Sequence, residues 1–179
     1  FDYVKGGGGS GDVTVSYVHN LYDGFQMLHD AVSLYEPLCD FYRANVNEQY
    51  DQGSVPGMTT EPALSAELLA GASAYTDTAV IVLSRFSGEG WDRSSIEYNG
   101  EYNPWETETS MPKISGEIFP DGDFYLTKEE SAMIAQVKQH FSRIAVVLNI
   151  GGIIDTSWIK NDDQISSALI AWQGGMEGG

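Results

Sequence analysis

Three short runs of apolar residues constrain the fold more than any other feature of this chain. They lie at about 78–84, 144–149 and 168–172, and a glycine-containing loop follows each of them. Each run has the length of a strand, and a helical pattern separates the first two. Nearly continuous apolar strands alternating with helices are typical of a parallel sheet covered on both faces. The sequence therefore predicts an α/β fold, a doubly wound and mostly parallel sheet with helices on both faces in a three-layer sandwich.

The spacing of the remaining apolar residues predicts where the helices lie. Apolar side chains recur at helical spacing over about 15–31 and 37–51. Thr60 is expected to cap a third helix, and a capping box beginning at Thr127 is expected to start a fourth, which ends near residue 142. Residues 33–35 are expected to form a further short strand.

Glu89 is the most unusual residue at the end of a predicted strand. It lies between Gly88 and Gly90, directly after the first apolar run. Parallel α/β sheets bind ligands beyond the carboxyl ends of their strands, and flanking glycines leave room beside a carboxyl group. Glu89 is therefore a candidate general acid, although a surface loop acid would fit the same pattern. Asp92 and Arg93 are expected to support this loop by pairing with neighbouring groups.

Four loops that follow predicted strands are expected to meet at one edge of the sheet. They contain Ser10, Glu89, the Gly151-Gly152 turn and Gln173. Convergence of glycine-rich loops at that edge is typical of a binding face. The Ser10 hydroxyl and the backbone amides of its loop could contact a neutral polar ligand closely, whereas a simple glycine turn is the alternative.

The glycines around Ser10 also match a dinucleotide-binding pattern. Gly6, Gly8 and Gly11 satisfy G-x-G-x-x-G between a possible strand and a helix. Asp12, however, would lie where the helix start must receive the pyrophosphate, and a carboxylate already satisfies that dipole. A flavodoxin-like nucleotide binder is therefore the weakest of the alternatives.

The composition narrows the classes of partner. Nine basic residues stand against 26 acidic ones, and the formal net charge is −17. Such a surface repels phosphate backbones and anionic lipid, so nucleic-acid and membrane roles are disfavoured, while a neutral sugar is unaffected. Cys39 is the single cysteine and the three histidines lack metal-site spacing, so no metal site and no cofactor are expected. The sequence gives no indication of compartment.

Tryptophans have two expected roles. Trp158 and Trp172 lie among apolar residues and are expected in the core. Trp91 is expected either to anchor the core or to stack against a sugar.

Five segments of the chain resemble the C-terminal α/β-sandwich domain of glycoside hydrolase family 3. They include Ser-Gly-Glu-Gly-Trp-Asp-Arg and Ala-Trp-Gln-Gly-Gly-Met-Glu-Gly-Gly, and they occur in order at 8–13, 87–93, 122–126, 144–152 and 171–179. The resemblance covers essentially the whole chain. It implies the acid/base-bearing domain of a retaining, exo-acting β-glycosidase that removes terminal β-D-glucosyl residues by double displacement.

The same resemblance assigns roles to individual residues. Glu89 matches the family's acid/base glutamate, and Ser10 matches a serine that hydrogen-bonds the glucosyl unit. The nucleophilic aspartate of the family lies in a TIM-like barrel, and this chain has no match to that motif, since Trp91-Asp92 has the reverse order. The excursion at 94–122 is longer than in many relatives.

The resemblance also implies how the chain is organised. Residues 1–179 are expected to form a single α/β-sandwich domain, a fragment that lacks its first strand, its C-terminal end and the partner barrel. Its expected partners are a β-glucoside or oligosaccharide and that barrel, and the chain alone is expected to be inactive. A non-catalytic carbohydrate-binding or docking module is the alternative.

Overall fold

The computed structural model describes residues 1–89 and 111–179. The helices are α1 (Leu21–Met27), α2 (Glu36–Asp51), α3 (Ala66–Tyr75), α4 (Met111–Ile118), α5 (Lys128–His140) and α6 (Ser157–Lys160). The strands are β1 (Thr78–Arg85), β2 (Arg143–Ile150) and β3 (Ile165–Ile170). Short 3-10 turns occupy Gly9–Gly11 and Gly175–Glu177. Within the described ranges, no helix is long and apolar enough to cross a membrane.

The three strands form a parallel sheet in the order β1-β2-β3. The register of β1 on β2 is continuous, from Thr78 beside Arg143 to Arg85 beside Ile150. A register shift at Ile144/Ala145 adjusts β3 on β2. Because the strands are parallel, their carboxyl ends lie at one edge, where the loops that follow them meet. The predicted α/β fold class is confirmed.

One face of the sheet carries the core. Ile81, Leu83, Val146 and Leu148 are at most 4% exposed, and they pack with apolar residues of α3 and α5. A buried parallel sheet needs such a cover, and the apolar stripe of α5 provides it. The opposite face is less covered, since Val80 is 43% exposed there.

Several predicted elements have different bounds in the structure. The helix predicted over 15–31 is confined to α1, because Asn20 caps it and a turn closes it at Leu28. Thr60 caps no helix, because its amide and hydroxyl both donate to Gln49 Oε1. Ser65 instead accepts the amide of Leu68 and starts α3. Residues 33–35 form no strand.

The capping box at Thr127 is confirmed. Its hydroxyl accepts the amide of Glu130 at 3.1 Å, and the Glu130 carboxylate accepts the amide of Thr127 at 2.8 Å. These two bonds satisfy two of the free amides at the start of α5. The predicted strand at 168–172 instead runs from Ile165 to Ile170.

Candidate functional site

The loop that carries Ser10 and the loop that carries Glu89 are joined by backbone hydrogen bonds. The amide of Gly8 donates to Ser87 O at 3.1 Å, and the amide of Glu89 donates to Gly8 O at 3.2 Å. These two bonds make a short parallel bridge between Gly8 and Gly88. The first loop is thereby fixed against the carboxyl end of β1.

Two glycines make this close approach possible. A Cβ on Gly88 would lie 2.6 Å from the amide nitrogen of Gly8, which is closer than side chains tolerate. Gly9 has a φ of +82°, and a Cβ there would lie 2.5 Å from Glu89 Cβ. Glycine is therefore required at both positions, by contact at the first and by backbone angle and contact at the second.

The turn after β2 and the loop after β3 reach the same place. A Cβ on Gly151 would lie 2.4 Å from Ser87 Oγ and 2.9 Å from Gln173 Nε2, and one on Gly7 would lie 3.6 Å from Gln173 Oε1. All four loops named from the sequence therefore meet at one edge of the sheet.

Glu89 and Ser10 are brought into direct contact at this edge. The amide of Ser10 donates to Glu89 Oε2 at 2.9 Å, and the Ser10 hydroxyl donates to the same oxygen. Both residues are exposed. The hydroxyl and then the amide of Ser10 lower the pKa of Glu89 below its ordinary value, because both stabilise the charged form.

The ionisation of Glu89 differs from what a general acid needs at rest. A general acid must hold a proton when its substrate arrives, and burial usually provides that by raising the pKa. Here the carboxyl is exposed and its pKa is lowered. The site therefore presents an ionised carboxylate that Ser10 holds in place.

The remaining sequence candidates are distributed differently. Asp92 and Arg93 lie outside the described residues, as does Trp91. Lys5 and Asp12 flank the glycine loop and pair with each other at 2.5 Å. Within residues 1–89 and 111–179, no group of three histidine, cysteine, aspartate or glutamate side chains is placed to hold a metal ion.

Asn149, at the end of β2, is a buried residue whose side chain connects several segments, and the sequence did not single it out. Its side chain accepts the amide of Val4 at 2.7 Å and donates to Val4 O at 3.0 Å and to Trp172 O at 2.7 Å. The Ser84 hydroxyl also donates to it, at 3.2 Å. One side chain thus ties the amino-terminal segment to the ends of all three strands. The available signal in the sequence was a polar amide side chain at the end of an apolar strand.

Trp172 is not a core residue, so that prediction is wrong. It is 56% exposed and has a φ of +55°. The bond from Asn149 to its carbonyl fixes the backbone where β3 has ended, and this turns the indole outward. A bulky residue at positive φ is a strained outlier, and such residues cluster at functional sites. Trp158, in contrast, packs against the core as predicted.

Arg85 is a second residue that sequence reasoning missed. It is 2% exposed and makes two bonds of 2.7 Å to the Glu130 carboxylate. Its guanidinium also donates to Asp123 O and Tyr125 O. Because Arg85 ends β1, this pairing fixes the start of the Glu89 loop against α5. A charge at the end of an apolar strand was the available signal.

Two other polar features lie on the loop after β3. Glu177 accepts the Tyr17 hydroxyl at 2.5 Å and contacts His19 Nδ1 at 2.6 Å. Gln173 Nε2 is buried and has no hydrogen-bond partner among the described residues. A cavity of about 450 Å³ lies between β1, α2, α3 and α5, and neither Ser10 nor Glu89 lines it.

Comparison with known proteins assigns a family to this arrangement. The model of the glycosyl hydrolase family 3 C-terminal domain matches residues 2–179. The chain is 52% identical over 179 residues to beta-glucosidase A of Butyrivibrio fibrisolvens, covering all of this chain and 21% of that protein. It is 31% identical to a beta-glucosidase of Ruminococcus albus, covering 99% of this chain and 17% of that protein. The chain thus spans about a fifth of the length of these relatives.

Solved structures agree with this result. A beta-glucosidase from Paenibacillus barengoltzii superposes with a TM-score of 0.73 at 29% identity, over 99% of this chain and 17% of that one. Beta-glucosidase 3B from Thermotoga neapolitana, solved with glycerol, gives a TM-score of 0.71 at 26% identity, over 97% of this chain and 22% of that one.

Proposed function

This chain belongs to the glycosyl hydrolase family 3 C-terminal domain family, and we propose that it is the acid/base-bearing domain of a retaining β-glucosidase. The substrate is a β-glucoside or an oligosaccharide with a terminal β-D-glucosyl residue. Glu89 is the acid/base, and Ser10 hydrogen-bonds the glucosyl unit. Asp92 and Arg93 support the loop. Residues 1–179 form one domain of the enzyme.

One observation carries the proposal. Glu89 is an exposed carboxyl held at the edge where the loops after β1, β2 and β3 meet the loop of Ser10, and Gly9 and Gly88 leave the space in which it lies. A stabilising surface acid would not need two glycines at close contact with a neighbouring loop. An acid that must reach a substrate needs such glycines, because its carboxyl group has to project away from the backbone around it.

The reaction has two chemical steps. In the first, a carboxylate nucleophile forms a bond to the anomeric carbon while the bond from that carbon to the glycosidic oxygen breaks, and Glu89 gives its proton to the departing oxygen. In the second, Glu89 takes a proton from water as the water oxygen attacks the anomeric carbon and releases the nucleophile. The two carboxyl groups must lie about 5–5.5 Å apart for this retaining course.

The nucleophile comes from a second domain. We assign it to an aspartate of a TIM-like barrel that packs against the edge carrying Glu89, as the resemblance to the family implies. The length of the relatives supports this, since the chain matches only 17–21% of them. The chain alone is therefore expected to hydrolyse no aryl β-glucoside. If the chain alone hydrolyses such a substrate and Glu89→Gln abolishes that activity, the assignment of the nucleophile to a second domain is contradicted.

Chemical rescue tests the role of Glu89 in the enzyme that carries this chain. In Glu89→Ala, azide needs no base to attack the anomeric carbon, so added azide should restore turnover and yield a β-glycosyl azide. Glu177→Ala is the matched control, because Glu177 is also an exposed carboxylate on a strand-end loop. It should form no azide product. Kinetics of Glu89→Ala that match the unmodified enzyme would remove Glu89 from the mechanism.

A non-catalytic carbohydrate-binding module is the second candidate. Trp172 favours this function, because its indole is exposed and its backbone is strained. An outward aromatic ring beside polar loops can stack against a sugar. This function requires that the chain bind glucose or cellobiose and that binding survive Glu89→Gln. Titration calorimetry of the chain separates the two candidates.

A further inference from the structure

We propose that Ser10 gates the acid: it holds the Glu89 carboxylate while the site is free of sugar, and it releases that carboxylate when its hydroxyl turns to the bound glucosyl unit. The inference rests on the proposed function and adds a regulatory step to the same site. It assigns Ser10 the part of a positioning residue for proton transfer, in addition to its contact with the sugar.

The contact geometry shows why Ser10 can hold Glu89. Both hydrogen bonds from Ser10, from its amide and its hydroxyl, converge on the single oxygen Oε2. The bridge between Gly8 and Gly88 keeps the two loops together, and the positive φ of Gly9 brings the Ser10 amide over the carboxyl. In the part of the chain that the structure describes, the carboxylate is therefore held from one side by one residue.

The hydroxyl of Ser10 has only one proton to donate. While it donates to Glu89, it cannot donate to a sugar oxygen. A glucosyl unit that accepts this proton therefore takes away one of the two bonds to Glu89. The amide bond alone then stabilises the carboxylate, so Glu89 holds a proton more readily and can donate it to the glycosidic oxygen.

No other charge competes for Glu89 among the described residues. Its pKa is lowered by the Ser10 hydroxyl and the Ser10 amide and raised by desolvation, with no ionic partner. On the glycine loop, Lys5 and Asp12 face each other, with Lys5 also donating to Val13 O. On the loop after β3, Glu177 is held by Tyr17 and His19. Within residues 1–89 and 111–179, Ser10 is thus the contact through which a ligand can alter the proton affinity of Glu89.

This gate makes a specific prediction for the pH profiles of the enzyme. The alkaline limb of kcat/KM reports the acid in the free enzyme, and that of kcat reports the acid in the substrate complex. Removing the Ser10 hydroxyl frees Glu89 in the empty site only. In Ser10→Ala, the alkaline limb of kcat/KM should therefore move to higher pH, while the alkaline limb of kcat should stay where it is.

An alkyl β-glucoside is the substrate for this experiment, because its poor leaving group makes the proton-donating step limiting in both parameters. Ser10→Thr keeps a hydroxyl and should restore the original limb of kcat/KM. Ser73→Ala is the control, since the Ser73 hydroxyl bonds only Ala70 O on α3, remote from the site. It should leave both profiles unchanged.

The outcomes separate the gate from the proposed function. If the alkaline limbs of both kcat/KM and kcat shift in Ser10→Ala, the hydroxyl still holds Glu89 in the complex. If neither limb shifts, the hydroxyl never controls the proton on Glu89. Either result overturns the gate. If the alkaline limb of kcat/KM instead persists in Glu89→Gln, the acid is another group, and the proposed function fails first.

A direct titration of Glu89 covers the case in which Ser10→Ala turns over too slowly. The 13C signal of the Glu89 carboxyl, assigned by its loss in Glu89→Gln, is followed against pH in the enzyme with and without a non-hydrolysed thioglucoside. The midpoint should lie at higher pH in the complex than in the free enzyme. In free Ser10→Ala it should move toward the value of the complex, and an unchanged midpoint in that variant would overturn the gate.

Discussion

Trp172 shows how a single residue carries strain at this edge of the sheet. Its φ of +55° is stabilised by the bond from the buried Asn149 side chain to its carbonyl, while its indole is 56% exposed. A left-handed conformation costs a residue with a Cβ about 1–2 kcal/mol. Partial burial of the indole offsets part of that strain energy. Strain of this kind that is not offset locally is typical of residues at functional sites.

The strain at Trp172 can be measured by comparing two truncations. Trp172→Ala and Trp172→Gly both remove the indole, so they differ only in the freedom of the backbone. Glycine adopts positive φ without a steric cost, so Trp172→Gly should be the more stable of the two by about 1 kcal/mol. For a chain of this length that difference corresponds to a melting temperature about 2–4 °C higher. If Trp172→Ala melts at the higher temperature, the left-handed strain is not present.

At the scale of single residues, the sequence indicated some of the residues that meet at this edge of the sheet and missed others. Glu89 and Ser10 were singled out because glycines surround them, and the structure places the two in contact, while their catalytic and binding roles stay predictions. Arg85 and Asn149 were missed because their importance comes from partners far along the chain, Glu130 for the first and Val4 and Trp172 for the second. Local pattern does not reveal which distant group a buried polar side chain will meet.

The elements are tied together by buried polar contacts as well as by the apolar core. The pair between Arg85 and Glu130 connects the end of β1 to the first turn of α5, with side chains 2% and 8% exposed. Arg85 also lies over the ring of Phe119, 4.4 Å from its centroid. This connection positions the strand end from which the Glu89 loop begins.

Breaking this buried pair should destabilise the chain strongly. Arg85→Met leaves Glu130 buried without its partner, which costs about 3–5 kcal/mol in the free energy of unfolding. The double variant Arg85→Met/Glu130→Leu should recover much of that loss. Arg143→Met is the control, since its pair with Asp77 is exposed and worth under about 1 kcal/mol. Urea unfolding measures all three; equal losses in Arg85→Met and Arg143→Met would contradict the account.

Glu61 gives the contact between α2 and the segment before α3 a dependence on pH. Burial raises the pKa of Glu61 to about 7, with a smaller contribution from Glu130, while the Tyr42 hydroxyl donates to it at 2.5 Å and opposes the rise. The folded chain therefore keeps a proton that the unfolded chain releases above about pH 4.3. The stabilisation is complete below that pH and is lost as pH rises through 7.

The corresponding measurement compares pH profiles of stability. From pH 4.3 to 7 the free energy of unfolding of the unmodified chain should fall, relative to Glu61→Gln, by at most about 3 kcal/mol. Subtracting the variant removes the contribution of the other acidic groups. Parallel profiles for the two proteins would show that Glu61 titrates normally.

Elements were predicted well where local chemistry decides them. The capping box at Thr127 and the apolar runs of β1 and β2 gave α5 and the two strands close to their observed bounds. Thr60 failed as a cap because Gln49, on α2, takes its amide and hydroxyl. The predicted helix over 15–31 failed beyond α1 because the amide of His19 donates to Met176 O instead. Both errors come from contacts with residues outside the local sequence.

At the scale of the whole molecule, the sequence predicted the parallel α/β class and the family, and the structure and the comparisons confirm both. The convergence of the loops after β1, β2 and β3 followed from topology, since parallel strands end at one edge. The loop of Ser10 follows no strand in the structure and is held at that edge by its bridge to Gly88. The lowered pKa of Glu89 could not be predicted, because it depends on the position of Ser10 to within a fraction of an ångström. The net charge of −17 is compatible with a neutral sugar as ligand.

The dependence of rate on the leaving group tests most directly whether Glu89 protonates the glycosidic oxygen. In the enzyme that carries this chain, kcat/KM is measured for aryl β-glucosides whose phenols span several pKa units, with Glu89 intact and with Glu89→Gln. Glu89→Gln should slow substrates with poor leaving groups far more than those whose phenolate departs unaided, so its rates should fall more steeply with leaving-group pKa. An equal reduction for every substrate, or none, would contradict proton donation by Glu89.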